Sequence, residues 1–327
     1  MDKVVPAQTL WGLVNSNVVA RCVQVIAEYG VADALGESPM TAAELSAQTG
    51  MNEDALARML RLLAAHEVFA EEGNLYRHTH VSELLRSDHP QSMRSFARMM
   101  NLPVFMQSFA GLTQTAKTGK PVMDFAGFME YFASKPEESS IFNQAMADKS
   151  RTVVPAVLTA YDFDSFGVIA DIGGGHGHLL RGVLEQTPAA SGILFDLPHV
   201  IQDSTADHSA RMKFQPGDFF ADELPTADAY LLMEVIHDWN DEDSNRILTA
   251  VRRAAPSHAR LLIVEAIVSD SPGADFSKVL DVIMLAVTGG RERTPSEYKD
   301  LLSRAGFRFE RIIPTPSQYS IIEAFVI

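Results

Sequence analysis

The chain has 327 residues, 46% of them hydrophobic, which is enough for about two domains of ~150 residues, each with a buried core. A formal net charge of -15 argues against a nucleic-acid partner, since binding a polyanion relies on clustered Lys and Arg, and favours a neutral or cationic small ligand. The single cysteine, Cys22, excludes an internal disulfide and a thiolate cluster for zinc. No run of about 18 apolar residues is read, and the first residues lack the basic and apolar blocks of a secretion signal, so the expectation is a cytoplasmic protein without a membrane span.

The first long helix is expected over Leu10 to Tyr29, with apolar residues at Leu10, Leu13, Val14, Val18, Val25 and Ile26 forming core or a subunit contact. Thr41-Ala42-Ala43-Glu44 reads as a capping box, Gly50 as a stop, and Asn52 as the cap of a helix carrying Leu56, Met59, Leu60 and Leu63. Val68-Phe69 and Leu75-Tyr76 flank a Gly73-Asn74 turn. Helix, turn, helix and hairpin make the plan of a winged helix. Its second helix, Glu53 to Glu67, offers only Arg58 and Arg61 among several acids, which argues against DNA.

The chain is expected to divide near residue 155, into a mainly helical domain (1–155) and an α/β domain (156–327). In the second, strands near 168–172, 193–196, 212–215, 229–236 and 260–267 alternate with helices, which implies a parallel sheet covered on both faces. Thr294-Pro295-Ser296-Glu297 caps a helix that Gly306 stops, and two last strands, about 307–313 and 319–326, form a hairpin at or near the sheet edge. Ligands of such sheets bind beyond the carboxyl ends of the strands.

Those ends carry the chemistry. Asp171-Ile172-Gly173-Gly174-Gly175-His176-Gly177 is a strand breaking into glycines before a helix, a layout shared by nucleotide-like ligand sites, dinucleotide sites and plain tight turns. Downstream, Asp196 ends the next strand where a carboxylate can accept both ribose hydroxyls, and Gly217-Asp218-Phe219-Phe220 offers a carboxylate and a flat apolar wall to an adenine. His237-Asp238-Trp239 follows another strand; its imidazole suits a general base, with Glu265 and Glu292 as carboxylate neighbours. Asp238, Asp241 and Asp243 read as caps for the helix of 241–255 rather than as a magnesium site, with Asp238 also counted on the acceptor side.

Phe142-Asn143-Gln144-Ala145-Met146, the Asp171 to Gly177 turn, Asp196-Leu197-Pro198, Gly217 to Phe220, His237-Asp238-Trp239, Glu265, Asp281 to Leu285 and Gly289 to Thr294 appear in one order. Over nearly the whole chain this resembles the S-adenosylmethionine-dependent O-methyltransferases of the caffeate and hydroxyindole type, including bacterial enzymes of secondary metabolism. The resemblance implies a winged-helix amino-terminal domain that dimerises and a Rossmann-like domain that binds S-adenosyl-L-methionine and releases S-adenosyl-L-homocysteine. It further implies that Gly173 and Gly175 approach the methionine part, Asp196 the ribose, Asp218 and Phe219 the adenine, and Ser150 the carboxylate end. Phe142, Met146, Ile283 and Met284 would line the pocket of a small phenolic acceptor, and His237 would be the base, with no metal. Met233 departs from the lysine or serine that many relatives carry four residues before the histidine, so one hydrogen bond to the adenine side is replaced by packing. The same fold also hosts members that retain the cofactor for hydroxylation or decarboxylation, and a nicotinamide-dependent oxidoreductase would share the glycine turn and Asp196.

Overall fold

A computed structural model describes residues 6–204 and 210–327. The chain forms two compact units, one of residues up to 106 with 132–149, the other of 107–131 with 150–327. The change of unit at 149/150 lies near the division expected at 155, and the 107–131 segment joins the second unit.

In the first unit, α1 (Pro6–Glu28), α2 (Val31–Leu35), β1 (Met40–Thr41), α3 (Ala42–Thr49), α4 (Glu53–Ala65), β2 (Phe69–Glu72) and β3 (Leu75–His78) follow the winged-helix plan, with strand order β1-β3-β2. The expected punctuation is present: Thr41 and Glu44 close a capping box, Gly50 ends α3 at φ 71°, and Asn52 caps α4 through Ala55 N–H. The stripe of α4 buries Leu56, Leu60 and Leu63 against Ile26, Leu35, Leu45 and Phe69. α1 is packed only towards its carboxyl end. It buries Ile26 and Ala27 while Leu10, Trp11, Leu13, Val14 and Val18 stay exposed, and it is long and apolar enough to cross a membrane by length and composition. That corrects the reading of no such run; Asn15, Ser16 and Asn17 interrupt the apolar sequence, yet only Arg21 and Glu28 in the helix are charged.

The helices α5 (His80–Glu83), α6 (Arg94–Met99), α7 (Pro103–Ala110), α8 (Leu112–Thr118), α9 (Phe125–Ala133) and α10 (Pro136–Ala160) lead into the second unit. There β4 (Val168–Ile172), α11 (His178–Gln186), β5 (Ser191–Asp196), α12 (Pro198–Ser204), β6 (Met212–Pro216), β7 (Ala229–Met233), α13 (Asp241–Ala254), β8 (Arg260–Glu265), α14 (Phe276–Val287), α15 (Pro295–Arg304), β9 (Phe307–Pro314) and β10 (Ser320–Val326) build a seven-stranded sheet of order β6-β5-β4-β7-β8-β10-β9. The first five strands are parallel, and β10 runs antiparallel to both β8 and β9, as the final hairpin led one to expect.

Alternation along the strands fills both faces. Ala170, Ile172, Tyr230 and Leu232 pack with residues of α13 and α15, while Ile169, Leu194 and Leu231 pack with α10, α11 and α14. The strand order reverses at β4, which pairs with β5 on one side and β7 on the other, so a crevice opens at the carboxyl ends of β4 and β7.

Two sequence expectations are corrected here. No helix joins β6 to β7 among the described residues: the backbone of 217–228 is satisfied locally, with Asp222 accepting from Asp218 N–H and Asp218 from Phe220 N–H. The expected strand over 229–236 stops at Met233, because Glu234 takes φ 56° and turns the chain into the short 3-10 segment Ile236–Asp238.

Candidate active site

The glycine turn after β4 is a backbone surface. Gly173, Gly175 and Gly177 have φ of 68°, 58° and 74°, a left-handed conformation that residues with a Cβ rarely adopt. Gly173 N–H donates to Phe195 O (2.8 Å) and Gly177 N–H to Gly174 O (2.8 Å), fixing the loop before α11. A Cβ at Gly174 would lie 2.5 Å from Asp171 Oδ2 and 2.6 Å from Leu194 Cδ1, whereas one at Gly175 would meet nothing within 4 Å. The loop is thus closed towards the core and open at Gly175.

Asp196, half-buried at the end of β5, faces this opening. Its Oδ2 accepts from Gly175 N–H (2.7 Å) and its Oδ1 from Leu197 N–H (2.7 Å). Burial raises its pKa, and these two bonds oppose that rise. Behind it, Asp171 is buried with Oδ1 lacking a hydrogen-bond partner; burial first, and the charge of Asp196 second, push its carboxyl up to about 7. Beyond β6, Asp218 sits beside an aromatic wall in which Phe219 and Phe220 meet Trp239 at ring separations of 5.9 and 4.8 Å, and Phe125 meets Trp239 at 4.7 Å.

The reactive cluster lies after β7 and β8. His237 is buried; its backbone N–H donates to Glu265 Oε1 (3.0 Å) and its ring Nδ1 bonds Glu292 Oε1 (2.7 Å). With a carboxylate as acceptor, Nδ1 carries the proton, so Nε2 is the nitrogen that can take another. Nε2 is 3.9 Å from Asp238 Oδ1. Burial depresses the imidazole, but the Glu292 hydrogen bond and the charges of Asp238, Glu292 and Glu265 outweigh it and lift the pKa to about 10. Glu265, fully buried, is lifted by burial to about 7 and accepts a hydrogen bond from Tyr298 Oη. Glu292 N–H is held by Asp281 Oδ1 (2.9 Å). A Cβ at Gly290 would collide with the His237 carbonyl, and Arg291 N–H donates to that carbonyl (2.8 Å), so the Gly289–Thr294 loop rests directly on the histidine loop.

The second unit therefore brings together Gly173, Gly175, Asp196, Asp218, Phe219, Met233, His237, Asp238, Glu265, Ile283, Met284 and Glu292 at the carboxyl side of its sheet. Met233, Ile283 and Met284 are half-buried in one apolar layer. Ser150 is half-buried where α10 enters this unit, and Phe142 and Met146 belong to the first unit, the Phe142 ring 4.6 Å from Phe132. Asp241 and Asp243 open α13, but its cap is Asn240, which accepts from Asp243 N–H.

Sequence reasoning missed Arg293, Tyr298, Glu234 and Tyr319. Arg293 is fully buried and binds Asp241 Oδ1, Ile236 O, Trp239 O and Ser244 Oγ, clamping the segment that carries His237. Its local sequence, Arg291-Glu292-Arg293, looks like an exposed charged turn, and its backbone pairs with Ile267, just after β8.

Residues 112–308 match the O-methyltransferase domain family and residues 11–88 the O-methyltransferase dimerisation domain. The chain is 38% identical to the phenazine O-methyltransferase PhzM of Lysobacter antibioticus over 94% of this chain and 92% of that protein. Among solved structures, CalO1, a methyltransferase of calicheamicin biosynthesis in its S-adenosylhomocysteine-bound form, is 34% identical with a TM-score of 0.89, covering 100% of both chains. Human N-acetylserotonin methyltransferase, solved with S-adenosylmethionine, is 26% identical with a TM-score of 0.89 over 99% of each chain.

Proposed function

The chain belongs to the O-methyltransferase family, and from that premise we propose that it methylates a hydroxyl of a small aromatic metabolite with His237 as general base. The cofactor is S-adenosyl-L-methionine, whose sulfonium supplies an activated methyl group. The residues fit it: a left-handed glycine turn open at Gly175, a half-buried carboxylate at Asp196, and an aromatic wall at Phe219 and Trp239 next to Asp218. In this reading Gly173 and Gly175 lie along the methionine part, Asp196 accepts from the ribose, Asp218 and Phe219 hold the adenine with Met233 packed nearby, and Ser150 meets the carboxylate end. Ile283 and Met284 line the acceptor side of the site.

The observation that carries the reading is the 2.7 Å bond from His237 Nδ1 to Glu292 Oε1, which fixes the ring and leaves Nε2 to take the acceptor's proton. A phenol with a pKa of about 10 and an imidazole lifted to about 10 are matched, so the proton passes between them with little free-energy change. Alignment and exclusion of water carry much of the remaining barrier. Incubation with S-adenosyl-L-methionine labelled in its methyl group and a panel of hydroxylated aromatics is expected to label a phenolic ether. Calorimetric failure to bind the cofactor at all would end the assignment.

We also propose that the active form is a homodimer. The exposed apolar side chains of Leu10, Trp11, Leu13, Val14 and Val18 on α1, together with the dimerisation-domain match, support a second copy as their cover. Light scattering is expected to give a dimer for the native chain and a shift towards monomer for Trp11→Asp; a native monomer would reject the proposal.

A further inference from the structure

Three consecutive residues of the loop after α14 reach three different parts of the histidine segment. Arg291 N–H donates to the His237 carbonyl (2.8 Å), and Glu292 Oε1 bonds the imidazole Nδ1 (2.7 Å). The Arg293 guanidinium spans the backbone on either side: Nη1 donates to Ile236 O (3.2 Å) and Nη2 to Trp239 O (3.0 Å). Nη2 also donates to Ser244 Oγ (3.0 Å), and that hydroxyl lies 3.3 Å from each of the same two carbonyls. Nε and Nη2 meet Asp241 Oδ1 at 3.0 and 2.9 Å. Arg293 and Ser244 are fully buried, whereas Asp241 is part-exposed at the start of α13. The main chain of Arg293 is fixed as well. Val268 N–H donates to Arg293 O (3.0 Å), just after β8, the strand whose Glu265 accepts from the His237 backbone.

A guanidinium presents five N–H donors in one rigid plane and so holds several acceptors at set separations, whereas an ammonium is a point charge on a flexible stem. Here the fork sets the two carbonyls that flank His237 and Asp238, and the residue before it in sequence carries the carboxylate for the ring. Backbone position and ring position are therefore referred to one loop. The 3-10 segment Ile236–Asp238 has no side-chain cap, and a single 3-10 turn has poor hydrogen-bond geometry of its own, so its placement falls to these outside bonds. Burying a guanidinium is costly, and packed apolar side chains often serve stability as well. What they do not do is hold two carbonyls and a carboxylate at fixed distances. Asp241, expected as a helix cap, serves instead as the counter-charge.

We infer that Arg293, anchored by Asp241, is a positioning residue that keeps His237 in register with Glu292. The inference rests on the reading of His237 as the base, and its first test needs no acceptor. The full-length enzyme, labelled with nitrogen-15 in its histidines, is titrated by NMR, the His237 signal being the one missing from His237→Ala. In the native enzyme burial lowers the ring, while the Glu292 bond and then the charges of Asp238 in the same segment, Glu292 from the loop and Glu265 from β8 lift it to about 10. Arg293→Lys keeps the charge and loses the fork, so a shift reports on geometry. It is expected to lower the midpoint by at least about 1 pH unit, because a lengthened bond to Glu292 supports the imidazolium less. Asp241→Ala changes only the part-exposed anchor and is expected to move the midpoint the same way by less; it decides the question if the lysine variant does not fold. In turnover with 2,3-dihydroxynaphthalene, Arg293→Lys is expected to lose about tenfold or more in kcat, with KM and affinity for S-adenosyl-L-homocysteine within about threefold of native. The rising limb of its kcat/KM profile moves to lower pH with the imidazole. A residue that served stability alone would lower Tm and leave the folded molecules with the native midpoint. Native midpoints in the variants, a shift to higher pH, or equal losses in kcat and cofactor affinity would each overturn the inference. Native turnover in His237→Ala would instead strike the base assignment, and failure of S-adenosyl-L-homocysteine to bind the native enzyme would strike the cofactor reading.

Discussion

Two stretches of the same sheet edge are made of opposite materials. After β4 the surface is backbone: three left-handed glycines whose N–H groups are fixed by Phe195 O, Asp196 Oδ2 and Gly174 O. After β7 and β8 it is side chain: His237, Glu265, Glu292 and Tyr298 converge from four places in the sequence into a buried cluster. The first has no room for an added atom at Gly174, and the second depends on its charges. Recognition and reactivity therefore fail separately here, and each can be attacked without touching the other.

The largest effect is expected from His237→Ala, with kcat falling about 10²–10⁴-fold, the usual contribution of a positioned base, while calorimetry finds cofactor affinity nearly unchanged. A variant that transferred methyl groups at the native rate would place the proton acceptor elsewhere. Gly174→Ala attacks the other stretch. Its Cβ would press on Asp171 Oδ2 at 2.5 Å and Leu194 Cδ1 at 2.6 Å, both buried, so overpacking of about 1–3 kcal/mol should appear as lost cofactor affinity, with kcat at saturating cofactor largely retained. Equal losses in affinity and kcat would mean that the two stretches are not independent.

Glu292→Gln is expected to lower kcat about tenfold by the weakening of one charge-assisted hydrogen bond, and it carries a signed pH test. Because Glu292 raises the imidazole, the native enzyme has the larger share of His237 protonated at neutral pH, and kcat/KM should climb as pH rises towards 10. Removing that carboxylate moves the rising limb to lower pH; movement to higher pH would exclude the histidine as the titrating group. The smallest effect is expected at Asp171. Its folded pKa, about 7, lies above its ordinary value, so its contribution to stability is fully present below the ordinary carboxylate range and is lost as pH rises through 7. Asp171→Asn should accordingly raise Tm at pH 8 and change it little at pH 4, read by calorimetric scans at the two pH values.

The same contrast explains what could be read before the structure. A glycine turn announces itself because the residue type and the backbone conformation coincide locally, and the capping box of Thr41, the stop at Gly50 and the cap at Thr294 were legible for that reason. The parallel sheet with both faces covered followed from the alternation of strands and helices, while its strand order came only with the structure. His237 and Glu265 could be nominated from strand ends and Glu292 from a Gly-Gly turn before a capped helix, but their bonds span 28 and 55 residues of sequence and depend on a packing that no local pattern encodes. Glu234 was hidden inside an apolar strand pattern, and Tyr319 at the start of an expected strand over about 319–326. Arg293 was concealed by its charge, which suggests solvent when seen alone and burial only once five hydrogen-bond acceptors are found around it.

That guanidinium has a practical meaning for redesign. Because Arg293 grips the histidine segment from the α13 side through Asp241 and Ser244, the catalytic geometry is braced from the face opposite Ile283 and Met284. On the proposed roles of Ile283, Met284 and His237, the wall facing the acceptor can be rebuilt, residue by residue, without loosening the histidine segment, which makes this scaffold a host for swapping acceptor preference.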